Sequence, residues 1–78
     1  MKREPVDSTT MRAVGYEAKN KVLEIEFESG EVYQYFEVPG TVVEALLMAA
    51  SKGRYFNREI REDYECVRVG AKRGAGRG

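Results

Sequence analysis

Histidine is absent from this 78-residue chain, and cysteine occurs once, at Cys66. The missing imidazole excludes a serine–histidine–aspartate triad, a histidine general base and a histidine metal ligand. A single thiol excludes an intrachain disulfide and a cysteine-rich zinc site. No glycine-rich phosphate loop follows a predicted strand. The sequence therefore predicts no metal, no cofactor and no enzymatic activity.

Long apolar runs are also missing. No run approaches the roughly 18 apolar residues that a membrane helix needs. The first ten residues, MKREPVDSTT, are charged and precede no apolar run, so they are not expected to be a signal peptide. These absences predict a cytoplasmic chain with no membrane contact. A chain this short forms one domain at most, and it favours a shallow surface site over a buried cleft.

Charge is balanced in total but not along the chain. The net charge is zero, yet residues 1–51 carry 5 basic and 9 acidic side chains, whereas residues 52–78 carry 8 and 4. A local positive field attracts an anionic partner even when the total charge is zero. The second segment is therefore the candidate for nucleic-acid contacts, with an ordinary solvated surface as the alternative interpretation.

Alternation of apolar and polar residues identifies the strands. KVLEIEFE, residues 21–28, places Leu23, Ile25 and Phe27 on one face and three glutamates on the other. EVYQYFEV, residues 31–38, completes a hairpin with it. TMRAVGY, residues 10–16, predicts a first strand. ECVRVG, residues 65–70, is a weaker candidate for a further short strand.

The hairpin loop decides where Tyr33 and Tyr35 point. A two-residue loop would need a positive φ at Ser29, which is unfavourable, whereas a three-residue loop needs one at Gly30 alone. The three-residue loop pairs Ile25 with Tyr33 and places both tyrosines on the apolar face. A loop of the other length would move both rings to the acidic face. The sequence favours the first arrangement, in which the tyrosines belong to the core.

The opposite face of the hairpin is expected to be open. Glu24 and Glu26 should be solvated there and should repel phosphate. Three apolar side chains on or beside this face form a candidate patch for a protein partner or a second copy of the chain. The residues of this patch are Val22, Val32 and Phe36.

VPGTVVEALLMAASKG, residues 38–53, predicts a helix whose two ends are marked by residues typical of helix termini. Thr41 is the expected N-cap, with Glu44 completing a capping box, and Gly53 is the expected left-handed stop. One face of this helix is apolar at the spacing i, i+3, i+4, i+7 and should be core. Its members are Val43, Leu46, Leu47 and Ala50.

RYFNREIR, residues 54–61, predicts a short second helix that docks through Phe56 and Ile60. Its arginines recur at i, i+4, i+7 and should form one exposed ridge. Cations contact phosphates, and an exposed tyrosine can stack on an unpaired base. The opposing interpretation pairs an arginine of this helix with Glu62. The candidate nucleic-acid-binding residues are Lys52, Arg54, Tyr55, Arg58 and Arg61.

The order of these features resembles the KTSC domain family, small domains found at the C-terminus of some lysyl-tRNA synthetases and as stand-alone bacterial proteins. The resemblance runs from about Ser8 to Tyr64. It rests on VGYEAKNKVLEIEF, on the Tyr33-Gln34-Tyr35 element, on VPGTVVEALLMAASKG and on GRYFNREIR. It implies a fold and suggests RNA binding. The chain departs from the family after the second helix, where REDY brings in acidic side chains.

These observations predict an α+β fold in which a three-stranded antiparallel sheet (β-β-β) is followed by two short helices packed on one face. Residues 1–8 are expected to be a flexible arm, residues 9–64 the domain, and residues 65–78 a basic, glycine-rich and mostly disordered tail. The predicted function is a small non-catalytic binding module for RNA or tRNA. The alternative is a protein-interaction or self-association module that uses the open sheet face or an edge.

Overall fold

Five strands and two helices make up the fold in a computed structural model, which describes residues 3–71. The sheet is antiparallel throughout, with the strands in chain order. Residues 72–78 of the predicted tail lie outside the described residues. The elements are β1 (Glu4–Pro5), β2 (Met11–Glu17), β3 (Val22–Phe27), β4 (Glu31–Tyr35), α1 (Gly40–Met48), α2 (Lys52–Glu59) and β5 (Cys66–Ala71).

The α+β class, the antiparallel sheet and the two helices are confirmed, but the prediction of three strands is wrong. The additional strands, β1 and β5, pair with β2 and β4 and lie in the segments predicted as arm and tail. β1 has two residues, too few to show any periodicity. β5 corresponds to the weaker strand candidate ECVRVG, and its valines are about half exposed, so it has no buried apolar face like that of β3.

The predicted hairpin loop is confirmed. Gly30 has φ 98°, and its N–H donates to the carbonyl of Phe27 at 2.9 Å. Ile25 lies opposite Tyr33, and Leu23 lies opposite Tyr35. The tyrosine rings therefore lie on the apolar side of the sheet, as the three-residue loop requires.

Both helices pack against that same side of the sheet. Phe56 of α2 meets the rings of Phe27 and Tyr35 edge-on, with both centroid separations 5.4 Å. Such edge contacts add to the free energy of apolar burial. The side chains with the least exposure come from strands, helices and the β4–α1 connection alike: Met11, Leu23, Ile25, Val38, Leu46 and Ile60.

The predicted ends of α1 are wrong. The N-cap is Pro39, not Thr41, and no side chain caps the helix. The carbonyl of Pro39 accepts from Val43 at 3.3 Å, because proline's fixed φ already sets the extended geometry of an N-cap. The helix ends at Met48, followed by Ala49 in an extended conformation. Of the predicted apolar face, Val43 and Leu46 are buried, whereas Leu47 and Ala50 are exposed.

Gly53 does not end a helix, contrary to the prediction, since it lies in the first turn of α2. Ser51 is the N-cap of α2, and its hydroxyl accepts from the backbone N–H of Arg54 at 3.3 Å. A serine that caps the next helix leaves no room for a longer α1. The two short helices therefore meet at residues 49–51 with no left-handed glycine between them.

The expectation that Glu24 and Glu26 are solvated is also wrong, because their exposed fractions are 8% and 7%. Arg3, next to β1, lies 3.1 Å from Glu24, and the side-chain amide of Gln34 donates to the same carboxylate at 2.8 Å. Arg12 of β2 lies 3.7 Å from Glu26. An arginine of β2 and the arginine before β1 therefore cover the acidic face that the hairpin alone leaves open.

Candidate functional site

The exposed side of α2 carries most of the predicted basic residues. Phe56 and Ile60 are buried and fix the helix against the sheet. Residues one and two positions away from these anchors then face outward, as the period of an α-helix requires. Arg54 and Arg58 are accordingly exposed, and Tyr55 is partly exposed. Lys52, at the first position of the helix, is also partly exposed.

Two surface hollows adjoin along this helix and share Ala50, Ser51 and Arg54. The first, called the polar hollow, has a volume of about 570 Å³ and lies between residues 7–10 and the start of α2. Its lining includes Lys52 and the hydroxyl groups of residues 8–10. The acidic Asp7 also lies there and offsets part of the positive charge.

The second, called the tyrosine hollow, has a volume of about 370 Å³. Tyr55 and Arg58 line it on α2, and Ala45 and Ala49 line it on the α1 side. An apolar floor beside an aromatic ring suits a flat ring system, whereas the hydroxyls and cations of the polar hollow suit a phosphate.

Gly53 sets the distance between the two walls of the polar hollow. A Cβ atom at this position would lie 2.5 Å from the Oγ1 atom of Thr10. Only glycine allows the segment before β2 to approach α2 this closely. Beside it, the Lys52 ammonium donates to the carbonyl of Ala49 at 3.3 Å, at the end of α1.

Arg58 is partly committed within the chain. Its Nε donates to Glu59 at 3.0 Å, and its guanidinium carbon lies 5.9 Å from the centre of the Tyr55 ring. The predicted partner, Glu62, forms no ion pair with it in the described structure. Arg54 has no ion-pair partner among residues 3–71, so it is the most available cation of the helix.

Arg61 does not join the predicted ridge, because α2 ends before it. Ile60 is the C-cap, and the N–H of Arg61 donates to the carbonyl of Phe56 at 2.9 Å. Burial raises the pKa of the Tyr35 phenol, Cys66 and Tyr33 raise it further, and the charge of Arg61 lowers it. Arg61 therefore acts on the β4 side of the molecule, away from the two hollows.

The three residues of the predicted apolar patch do not form one surface. Val32 is buried, with 8% of its surface exposed. The hydrogen-bonded Gln34 and Glu24 lie between Val32 and the other end of β4. Phe36 lies beside the turn after α2, where its N–H donates to the carbonyl of Glu65 at 2.9 Å. Val22, at the start of β3, is partly exposed.

The sequence interpretation missed an apolar surface on β5. Val67 and Val69 are 49% and 48% exposed on the outermost strand of the sheet. The signal was present in the valines of ECVRVG, which marked a strand but gave no indication that it would lie at an edge.

Over residues 3–71, no group of three or more cysteine, aspartate or glutamate side chains is placed to hold a metal ion. The two helices of that range are too short to cross a membrane.

Comparison with known sequences matches most of the chain. A sequence model described as "KTSC domain" matches residues 7–64. An uncharacterized protein of Stutzerimonas stutzeri is 44% identical over 64 residues, covering 82% of this chain and 90% of the relative. A lysine–tRNA ligase of Nostoc punctiforme is 42% identical over 59 residues, covering 76% of this chain but only 10% of the ligase.

A solved structure shares the fold. The crystal structure of a KTSC domain protein from Yersinia pestis superposes with a TM-score of 0.86 at 36% sequence identity. The match covers 88% of this chain and 97% of that protein. The similarity is therefore one of whole domains.

Proposed function

The chain belongs to the KTSC domain family, and from that premise we propose that it is a small non-catalytic binding module that associates with RNA or tRNA. Domains of this family are also found within some lysine–tRNA ligases. The contact surface is the exposed side of α2, with Lys52, Arg54, Tyr55 and Arg58. Arg61, which follows the helix and lines neither hollow, lies outside this surface.

One observation supports this proposal above the others: two hollows adjoin around Arg54, one polar and one lined by a tyrosine. Cations that meet phosphates supply most of the non-specific affinity for nucleic acid. An aromatic ring next to them allows an unpaired base to stack. Protein surfaces that bind single-stranded nucleic acid combine these two elements.

The relatives add a second support. The Nostoc enzymes are named as lysine–tRNA ligases, and this chain corresponds to about a tenth of their length. A small module attached to an enzyme that acts on tRNA is well placed to contact the same RNA.

Titration of labelled single-stranded RNA and of total tRNA, at low and moderate salt, tests the proposal. We expect binding at low salt that weakens as salt rises, because released counterions drive it. Arg54→Ala should weaken binding and reduce the salt slope by about one. Lys19→Ala removes the same charge from an exposed turn that lines neither hollow, and it is the matched control.

Three results would contradict the proposal. One is a chain that binds no RNA at low salt, and another is an affinity that does not respond to salt. The third is an equal loss of affinity in the Arg54 and Lys19 variants.

A second candidate function, a self-association module, is favoured by the half-exposed valines of β5. Exposed strand edges pair with other strands, and apolar side chains on such an edge promote that pairing. Sedimentation equilibrium over a wide concentration range tests it. A molar mass that stays at the monomer value at every concentration would contradict this candidate.

A further inference from the structure

The two edges of the sheet differ in their capacity to pair. β1 has only two residues, and one of them is Pro5, which has no N–H to donate. β5 has six residues, with neither proline nor an acidic side chain among them. Short strands and prolines are devices that block edge pairing. The β1 edge therefore has both of these devices, whereas β5 has neither: its protection is limited to the charge of Arg68 and a bulge after that residue, so Cys66–Arg68 remains a regular edge.

The hydrogen bonds of β4 show which backbone groups of β5 are free. Phe36 donates to the carbonyl of Glu65, and Gln34 lies opposite Val67. In an antiparallel pair, alternate residues direct their N–H and C=O groups to the same neighbour. Glu65 and Val67 therefore face β4, and Cys66 and Arg68 direct their backbone groups outward from the sheet.

We propose that two copies of this chain pair antiparallel along β5, about a two-fold axis that passes between their Val67 residues. Cys66 of each copy then lies opposite Arg68 of the other, and the outward groups of both residues form four hydrogen bonds. The partner is a second copy because one strand supplies both halves of a self-complementary contact. This inference rests on the second candidate function, self-association.

Side chains along β5 fit this register. The two Val67 side chains meet across the axis, and each removes apolar surface of the other from water. The charge of Arg68 is offset within its own chain by Glu31, whose carboxylate lies 3.2 Å away. The Arg68 side chains of the two copies therefore do not repel each other as unpaired charges.

The paired segment is short. The register of β5 against β4 shifts between Val32 and Tyr33, so the regular edge ends after Arg68. A bulge of this kind interrupts a ladder of hydrogen bonds. Three regular residues in each copy bury far less than a stable interface of about 1,200 Å² or more, so the dimer should dissociate on dilution.

Disulfide trapping tests the register with a matched control. In a Cys66→Ser background, Val67→Cys and Val69→Cys place a thiol at two nearly equally exposed positions of the same strand. Residues directly opposite in a non-hydrogen-bonded pair have Cα atoms about 4.5 Å apart, which suits a disulfide. We expect the Val67 variant to form covalent dimer at least several-fold faster than the Val69 variant. Equal rates, or a faster Val69 variant, would overturn the proposed register.

Sedimentation equilibrium of the native chain and of Val67→Arg separates this inference from self-association itself. We expect the native chain to dimerise as its concentration rises, and the variant to stay monomeric with an unchanged circular dichroism spectrum. A dimer that persists in the variant would leave self-association standing but would overturn the β5 contact. A native chain that is monomeric throughout would overturn both.

Discussion

Gly53 is the residue at which two distant segments approach most closely. Alanine favours a helix over glycine by about 1 kcal/mol, so Gly53→Ala would stabilise α2 if nothing opposed it. The added Cβ would instead meet the side chain of Thr10 at 2.5 Å, and a β-branched side chain adapts poorly. We expect a net loss of about 1–3 kcal/mol in the free energy of unfolding, measured by urea denaturation.

The cause of that loss can be isolated with a double variant. Thr10→Ala removes the Oγ1 atom that the new methyl group would meet. The combined Thr10→Ala/Gly53→Ala chain should therefore recover a large part of the stability, giving a coupling free energy well outside experimental error. If the effects of the two changes on the free energy of unfolding were additive, the close approach of Thr10 would not be the reason why position 53 requires glycine.

Tyr35 gives the fold a dependence on alkaline pH. Its phenol is buried, which raises its pKa above the ordinary value of about 10. Below about pH 10, the folded and the unfolded chain both keep the phenol proton, and the free energy of unfolding has its full value. Above that pH the unfolded chain loses the proton first, so the free energy of unfolding should fall by up to about 1.4 kcal/mol per pH unit. Denaturant titrations between about pH 9 and 11 measure this slope. Tyr35→Phe should flatten it, whereas Tyr33→Phe should not.

The two helices begin in different ways, and this difference is measurable. Ser51 caps α2 with its hydroxyl, whereas Thr41 lies inside α1 and caps nothing. Ser51→Ala should lower the free energy of unfolding by about 1 kcal/mol. Thr41→Ala makes a similar change at an exposed helical position and should leave stability nearly unchanged or raise it. Thermal unfolding of both variants provides the comparison, and a larger loss at Thr41 would contradict the capping assignment.

Local chemistry explains which elements the sequence predicts well. The β3–β4 hairpin follows from one loop, because only Gly30 tolerates the positive φ that the three-residue turn needs. The placement of both tyrosines in the core follows from that turn. The ends of α1 were mispredicted although Thr41 and Gly53 are residue types typical of helix ends. Pro39 comes earlier in the chain and is the N-cap of α1, and Ser51 begins α2 before Gly53 is reached.

Contacts between distant segments explain the remaining errors. Glu24 and Glu26 were predicted to be solvated because the hairpin alone leaves them open. The arginines that cover them come from β2 and from the residue before β1. In the candidate site, the basic residues of α2 were identified from their spacing. The polar hollow was not predicted, because its other wall is formed by residues 7–10, which are far from α2 in the sequence. Spacing within a helix cannot show what lies across from it.

The arrangement of the whole molecule separates its two candidate surfaces. Both helices lie on one side of the sheet, and ion pairs cover the other side. The proposed RNA surface on α2 and the proposed pairing edge on β5 are therefore different parts of the molecule, and neither proposal depends on the other. A dimer through β5 would carry two α2 surfaces, which would raise the avidity for a long RNA.

Strand β5 lies beyond the stretch that matches the family, and removal of it tests what it contributes to the domain. A chain that ends at Tyr64 loses the ladder to β4, and Tyr35 loses its cross-strand neighbour Cys66. Each hydrogen bond of the ladder contributes about 1 kcal/mol net, so we expect a loss of at least about 2 kcal/mol, measured by thermal unfolding.

A chain that ends at Ala71 keeps the strand and is the matched control. It should unfold at a clearly higher temperature than the chain that ends at Tyr64. The shorter chain also exposes the edge of β4, a strand that is paired on both sides in the intact sheet, so it should aggregate more readily on heating. Equal melting temperatures for the two chains would mean that the domain stands without β5, and that the strand serves association alone.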